Sequence, residues 1–225
     1  SIGYEAFSKC SYLKEIIIGN SVTSIGNSAF YKCESLKQIE IPSSVTSIGH
    51  HSFAKCSSLR YVSIPSSVVS FGEQIFDEIE SLAIFGDLTM IPDSLFKNCS
   101  QLQDVKIFSE ITSIGNYAFM NCSLLKQISI EILSSVKSIG NYAFWGCASL
   151  MKIILPSSLT SLGDGAFLGC NKSIDITIQS SLQHVGTDAF LGCTEFNKKN
   201  YPANECEELV DINDYKFIKR IKIIE

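Results

Sequence analysis

The 225-residue chain carries a formal charge of −5, is 18% charged, and intersperses its acidic and basic residues until the final segment. That balance speaks against a nucleic-acid partner, since a phosphate backbone requires a concentrated positive surface. At 45% hydrophobic the chain is too apolar to be disordered, yet no apolar run approaches the ~20 residues that span a bilayer, so no membrane insertion is expected within it.

The organising stretch is residues 33–53, which reads C-x2-L-x2-I-x-I-P-x2-V-x2-I-G-x3-F. Its Cys33, Leu36, Ile39, Ile41, Val45, Ile48, Gly49 and Phe53 recur 23 residues later as Cys56, Leu59, Val62, Ile64, Val68, Phe71, Gly72 and Phe76. The repeat Gly falls at 3, 26, 49, 72, 115, 140, 163 and 186, with Pro92 once in its place, and the Phe four residues on is unbroken from Phe7 to Phe190. A fixed period of this length signals a solenoid, in which each coil buries its apolar face on the next.

Taken in order, residues 1–7 already read as the second half of a repeat, so the chain is expected to be a piece of a longer protein whose leader or anchor lies outside it. Within a repeat, Leu36, Ile39 and Ile41 point inward from a short extended segment while Gln38 and Glu40 alternate outward. Pro42 and Ser43-Ser44 end that strand. The chain is expected to return through Val45 and Ile48, turn at Gly49, and make a short helical turn that carries Phe53 inward. Residues 29–33 are too few for a helix stable by itself, so packing must hold them.

The expected fold class is α/β: a curved, single-domain solenoid of about eight to nine repeats over residues 1–194. It would have one short parallel strand per repeat and helical or irregular turns on the other side. Cys33, Leu36, Ile39, Ile41, Ile48, Phe53, Phe119 and Phe144 are expected in its core. Two steps depart from the period: 20 residues from Gly72 to Pro92, and 25 from Gly115 to Gly140 with extra residues around Glu131-Ile132-Leu133. Each should produce a local dent or bulge. After Cys193 the pattern fails, and residues 195–225 are expected to form a C-terminal cap with a last strand near 218–224.

The phrases Ile41-Pro42-Ser43-Ser44-Val45-Thr46-Ser47-Ile48-Gly49 and Ile139-Gly140-Asn141-Tyr142-Ala143-Phe144-Trp145-Gly146-Cys147 closely resemble the hallmark of the BspA-type, or treponemal-type, leucine-rich repeats. The resemblance covers residues 1 to about 194. It implies a surface or secreted protein of a host-associated bacterium or protist, with adhesion to host proteins or cells as the associated activity, and it brings no catalytic residues. The short fourth repeat and the tail depart from the pattern.

Every cysteine except Cys206 occupies one repeat position, which also accepts Ile79, so a ladder of buried free thiols is expected. Zinc is disfavoured, because stacked coils set sulfurs about 5 Å apart in a line whereas zinc gathers four ligands at about 2.3 Å. No cofactor is expected. The best disulfide pairing is Cys193 with Cys206 in the cap. His50, His51 and His184 read as exposed turn histidines without a nucleophile beside them, and Glu73, Asp93, Asp164 and Asp188 as scattered turn carboxylates. Sequons at Asn98, Asn121 and Asn171 would permit glycans on a eukaryotic secretory route.

Binding is expected on outward positions of the sheet: Gln38, Tyr61, Asp104, Gln127 and Lys152 in one row, Glu40 and Lys106 in the row beside it, and Lys37 and Arg60 one position earlier. Tyr61 with Arg60 is the preferred anchor, since both types are enriched at hot spots. Tyr117, Tyr142 and Trp145 near the turns form a rival patch. The reading is a monomeric, non-enzymatic protein-binding module at the cell surface or secreted, with a host extracellular-matrix or cell-surface protein as ligand. The alternatives are a cytoplasmic interaction scaffold or regulator, favoured by the free cysteines, and a structural spacer in a larger surface protein.

Overall fold

The computed structural model describes residues 1–128, 135–171, 174–178 and 182–193. In chain order its strands are β1 (Ser24–Ile25), β2 (Gln38–Glu40), β3 (Ser47–Ile48), β4 (Tyr61–Ile64), β5 (Ser70–Phe71), β6 (Ser81–Gly86), β7 (Met90–Ile91), β8 (Asp104–Ile107), β9 (Ser113–Ile114), β10 (Gln127–Ile128), β11 (Ser138–Ile139), β12 (Lys152–Leu155), β13 (Ser161–Leu162), β14 (Asp175–Ile178) and β15 (His184–Val185). From the second coil on, the coils give two strands rather than one, and outside the irregular steps each pairs in parallel with its counterpart in the next coil. Gln38 meets Tyr61 in one set, and Ser24 meets Ser47 in the other.

The expected α/β class is therefore corrected: the solenoid is all-β, and no helix occurs among the described residues. The reason lies in where the backbone donors of the Gly-to-Cys segment go. Ser28, Phe30 and Lys32 donate their N–H groups to His50, Ser52 and Ala54 of the following coil at 2.8, 2.8 and 3.0 Å, where a helix would spend them on itself. The N–H groups between them close tight turns, as in Tyr31 to Ser28 and Cys33 to Phe30. Left-handed φ values at Ser28 (55°) and Lys32 (59°), repeated at His51 and Lys55, reverse the chain direction often enough to keep alternate donors aimed along the stack.

The repeat glycine also has a different role from the expected turn. Gly49 and Gly72 have ordinary φ, but a Cβ on them would lie 2.4 Å from Asn27 Oδ1 and 2.2 Å from the His50 nitrogen. Glycine is needed because one coil's backbone rests directly on that of the coil before.

The irregular steps interrupt the sheets. Even-numbered strands run β2-β4-β6-β8-β10 and then β12-β14, while odd-numbered ones run β1-β3-β5 and then β7-β9-β11-β13-β15. The 20-residue step thus breaks the odd set between β5 and β7 and leaves the even set continuous. At the 25-residue step β10 and β12 fall in separate sheets among the described residues, with Met151 N–H donated to Lys126 across it at 3.4 Å; Glu131-Ile132-Leu133 lie outside the described residues.

Between the strand sets and the turn segment runs one apolar interior. Cys33, Leu36, Ile39, Ile41, Ile48, Phe53, Phe119 and Phe144 are all buried within it. From Phe7 to Phe190 the rings form a column with successive centroids 4.9 to 6.0 Å apart. Each buried ring contributes about 2–3 kcal/mol by area alone. Beside the column the cysteines are free and buried except Cys10, which is exposed on the end face of the first coil and so departs from the expected ladder. The proposed cap at 195–225, Cys206, and hence a Cys193–Cys206 bridge lie outside the described residues.

Candidate binding surface

Alternation along the even strands sends Ile39, Val62, Leu82 and Val105 inward and leaves Gln38, Tyr61, Ala83 and Lys106 as neighbours on the outer face. Asp104 does not share the Tyr61 row as expected. It pairs with Ser81 and Gln127, two residues along, because β6 crosses the short repeat with its register displaced by two. A displacement of two keeps every side chain on its face, whereas one would have turned the core outward.

The displacement assembles what the sequence reading missed. Tyr61 (53% exposed), Phe85 (39%) and Phe108 (55%) form an exposed aromatic row, with centroids 6.3 Å apart for the first pair and 4.7 Å for the second. Phe85 pairs opposite Ser63, and Phe108 continues β8 with its N–H donated to Ile84. The available signal was parity. In Leu82-Ala83-Ile84-Phe85 and Val105-Lys106-Ile107-Phe108, the apolar residue that falls out of step must face solvent.

Before the row lies an open groove of about 950 Å³, lined by side chains that include Glu15, Ile17, Gln38, Glu40, Tyr61, Phe85 and Asp87. Asp87 accepts the Ser66 N–H at 2.6 Å and its hydroxyl at 2.8 Å. The hydroxyl bond is the larger reason its carboxyl sits below the usual range. Lys37, Gln38, Glu40 and Lys106 are exposed, and Asp104 is half-buried. Arg60 Nη1 donates to the carbonyls of Ser57 and Leu59, both at 2.9 Å, within its own turn. Gln127 and Lys152 fall on β10 and β12, with side chains outside the described ones.

The rival aromatics are partly occupied with one another. Tyr117 stacks on Tyr142 at 5.6 Å, Tyr142 meets Trp145 at 5.7 Å, and Lys97 Nζ stands 5.9 Å from the Tyr117 ring centroid. A Cβ on Gly165 would press into the Tyr142 ring at 2.5 Å, so these rings also lie against the coil that follows.

The residue after each repeat Gly builds a polar ladder along the stack. Asn27 Oδ1 accepts from His50 N–H (2.9 Å), His50 Nδ1 from Glu73 (2.9 Å), Asp93 from Asn116 (2.7 Å), Asn116 from Asn141 (2.8 Å), Asn141 from Asp164 (2.8 Å), and Asp164 from Thr187 (2.7 Å). Asp93, Asp164 and His50 are thus structural acceptors, and the run of Asn, His and Asp after Gly was the legible sign. Asn98 and Asn121 take left-handed turns, with Asn121 Nδ2 donating to Asn98 Oδ1 at 2.9 Å; Asn98 and Asn171 are half-buried and Asn121 is exposed. Among the described residues no group of three His, Cys, Asp or Glu could hold a metal, and no helix is long and apolar enough to cross a membrane.

The family model for the BspA type leucine rich repeat region matches residues 1–126 and 124–225, in six copies. The chain belongs to the BspA-type leucine-rich repeat family. Among solved structures, a leucine-rich repeat protein from Bacteroides ovatus is 30% identical, with a TM-score of 0.55, over 85% of this chain and 55% of that one. A leucine-rich repeat protein from Eubacterium ventriosum is also 30% identical, with a TM-score of 0.54, over 70% of this chain and 42% of that one. The chain therefore spans about half the length of these relatives. Comparison with curated proteins finds no match. As a BspA-type repeat solenoid the chain is a non-catalytic protein-binding module.

Proposed function

We propose that this BspA-type solenoid presents a ligand-binding surface in cell-surface adhesion, with a host extracellular-matrix or cell-surface protein as partner. The observation that carries the reading is the exposed row Tyr61–Phe85–Phe108 on the even strands. Monomeric proteins seldom leave large rings side by side in water, and contiguous exposed apolar patches mark interaction sites. A rigid parallel sheet carries the row, so little conformational entropy is lost when a partner settles on it. Tyr and Phe are also enriched in interface cores.

The test is binding to a panel of purified matrix and cell-surface proteins by biolayer interferometry, with wild type compared to a Tyr61→Ala/Phe108→Ser variant of unchanged thermal stability. The expected result is a partner whose affinity falls at least about tenfold in the variant, the scale of one lost hot spot. Undiminished binding by the variant would remove this face from the proposal, and a partner lost instead on Trp145→Ala would transfer it to the turn side.

A further inference from the structure

Resting on that reading, we infer that the groove beside the aromatic row takes an extended peptide segment bearing Lys or Arg side chains. Charge is the first argument. The lining contains the carboxylates of Glu15, Glu40 and Asp87 and neither a Lys nor an Arg. The ion pairs among the described residues are Lys55–Glu78 and Lys97–Glu73, so no described cation is paired with a carboxylate of the groove. Three carboxylates without a described ion-pair partner, Asp87 among them held by Ser66, around a partly apolar trough attract a cation and repel an acidic segment.

Geometry is the second argument. The lining runs from Ile17 of the first coil to Asp87 of the fourth. At about 4.8 Å between coils it accommodates roughly four to five residues of extended chain. Glu40 pairs with Ser63 and Gln38 with Tyr61, which puts the Glu40 carboxylate diagonal to the Tyr61 ring. An Arg side chain can lay its guanidinium on the ring while donating to that carboxylate, and the apolar stem of Lys or Arg can lie on Ile17. Beneath the middle of the groove β4 and β6 are each paired on both sides, so over those coils the segment binds through side chains and does not add a strand. A neutral sugar fits less well. Phe85 already has one face against Phe108, stacked within 6°, and a sugar would leave three desolvated carboxylates without a counter-charge.

The experiment uses fluorescence anisotropy on the intact chain, with fluorescein-labelled Arg-Leu-Arg-Leu-Arg-Gly as probe and the matched Gln- and Glu-substituted peptides and cellohexaose as competitors. Expected are binding of the Arg peptide that weakens as salt rises from about 50 to about 300 mM, and a loss of about fivefold or more in Glu15→Gln/Glu40→Gln. Asp188→Asn, a charge change at the far end of the stack, should bind as wild type does. Equal binding of the Gln peptide, competition by cellohexaose, or equal weakening by Asp188→Asn would each overturn the inference. If the Arg peptide fails while Tyr61→Ala/Phe108→Ser still loses the matrix partner, the basic-segment assignment falls and the aromatic face stands. If neither responds, both fall.

Discussion

Single residues show which constraints the repeat enforces and which it tolerates. Most coils place Ala before the column Phe, but Ser52 stands there fully buried, with a hydroxyl that has no partner among the described residues. A buried donor without an acceptor costs free energy, so Ser52→Ala should raise stability by about 1 kcal/mol, measured by urea denaturation. The glycines separate into two kinds. Gly72 has ordinary φ, but its Cβ would strike His50 backbone at 2.2 Å, whereas Gly169 (φ +66°) has no neighbour closer than 3.6 Å. Gly72→Ala should therefore destabilise by about 3 kcal/mol through forced displacement of the preceding coil. Gly169→Ala should cost only about 1 kcal/mol of backbone strain. Similar penalties for the two would contradict the distinction.

At the scale of the element, the cysteine ladder is a set of weak donors as well as core filler. Cys33, Cys56, Cys122, Cys147, Cys170 and Cys193 each donate Sγ–H to the carbonyl of the Phe one coil earlier, at 3.1 to 3.2 Å. Burial pushes the Cys33 thiol from 9.0 up to about 11 and the Cys56 thiol up to about 12, and raises those of Cys99, Cys122 and Cys147; Cys170 and Cys193 are raised first by hydrogen bonding with the thiol of the coil before, Cys147 and Cys170, and then by burial. The unfolded chain ionises near 9 while the folded chain keeps its protons, so stability is fully present below pH 9 and falls as pH rises toward 11 to 12. Under reductant at pH 10, Cys56 alone should account for about 1 kcal/mol of lost stability relative to pH 7.5. Cys56→Ala should lose correspondingly less over the same interval, and equal pH slopes would show that this thiol is not desolvated. In native labelling at neutral pH, Cys10 should react quickly and Cys33 to Cys193 only on unfolding, since it is the thiolate that reacts.

Across the whole molecule, each coil touches only the coils beside it, so damage should stay local. Phe119 stacks on Phe96 at 4.9 Å and on Phe144 at 5.1 Å. Phe119→Ala should cost about 3–5 kcal/mol. Its loss of hydrogen-exchange protection should centre on those two coils and spare residues 24–48. Uniform loss along the chain would mean that the stack unfolds as one unit. The same one-dimensional build explains how a 20-residue repeat is accommodated: the odd strands part between β5 and β7, the even strands absorb the change as a two-residue offset, and Phe85 and Phe108 are brought to the surface beside Tyr61.

The amino-acid order alone determined that coils stack and which side chains point into the interior, because burial selects Leu36, Ile39, Ile48 and Phe53 at every turn of the period and leaves a pattern that can be read. It did not reveal the second strand of each coil, the non-helical turns or the true neighbours of Tyr61. Two-residue strands such as Ser47–Ile48 are too short to show alternation. The donors of Ser28, Phe30 and Lys32 find their acceptors 22 residues away, and a row of side chains across a sheet exists only once register is set. Those choices rest on backbone hydrogen bonds between coils, which carry no side-chain signature, and only the assembled stack decides them.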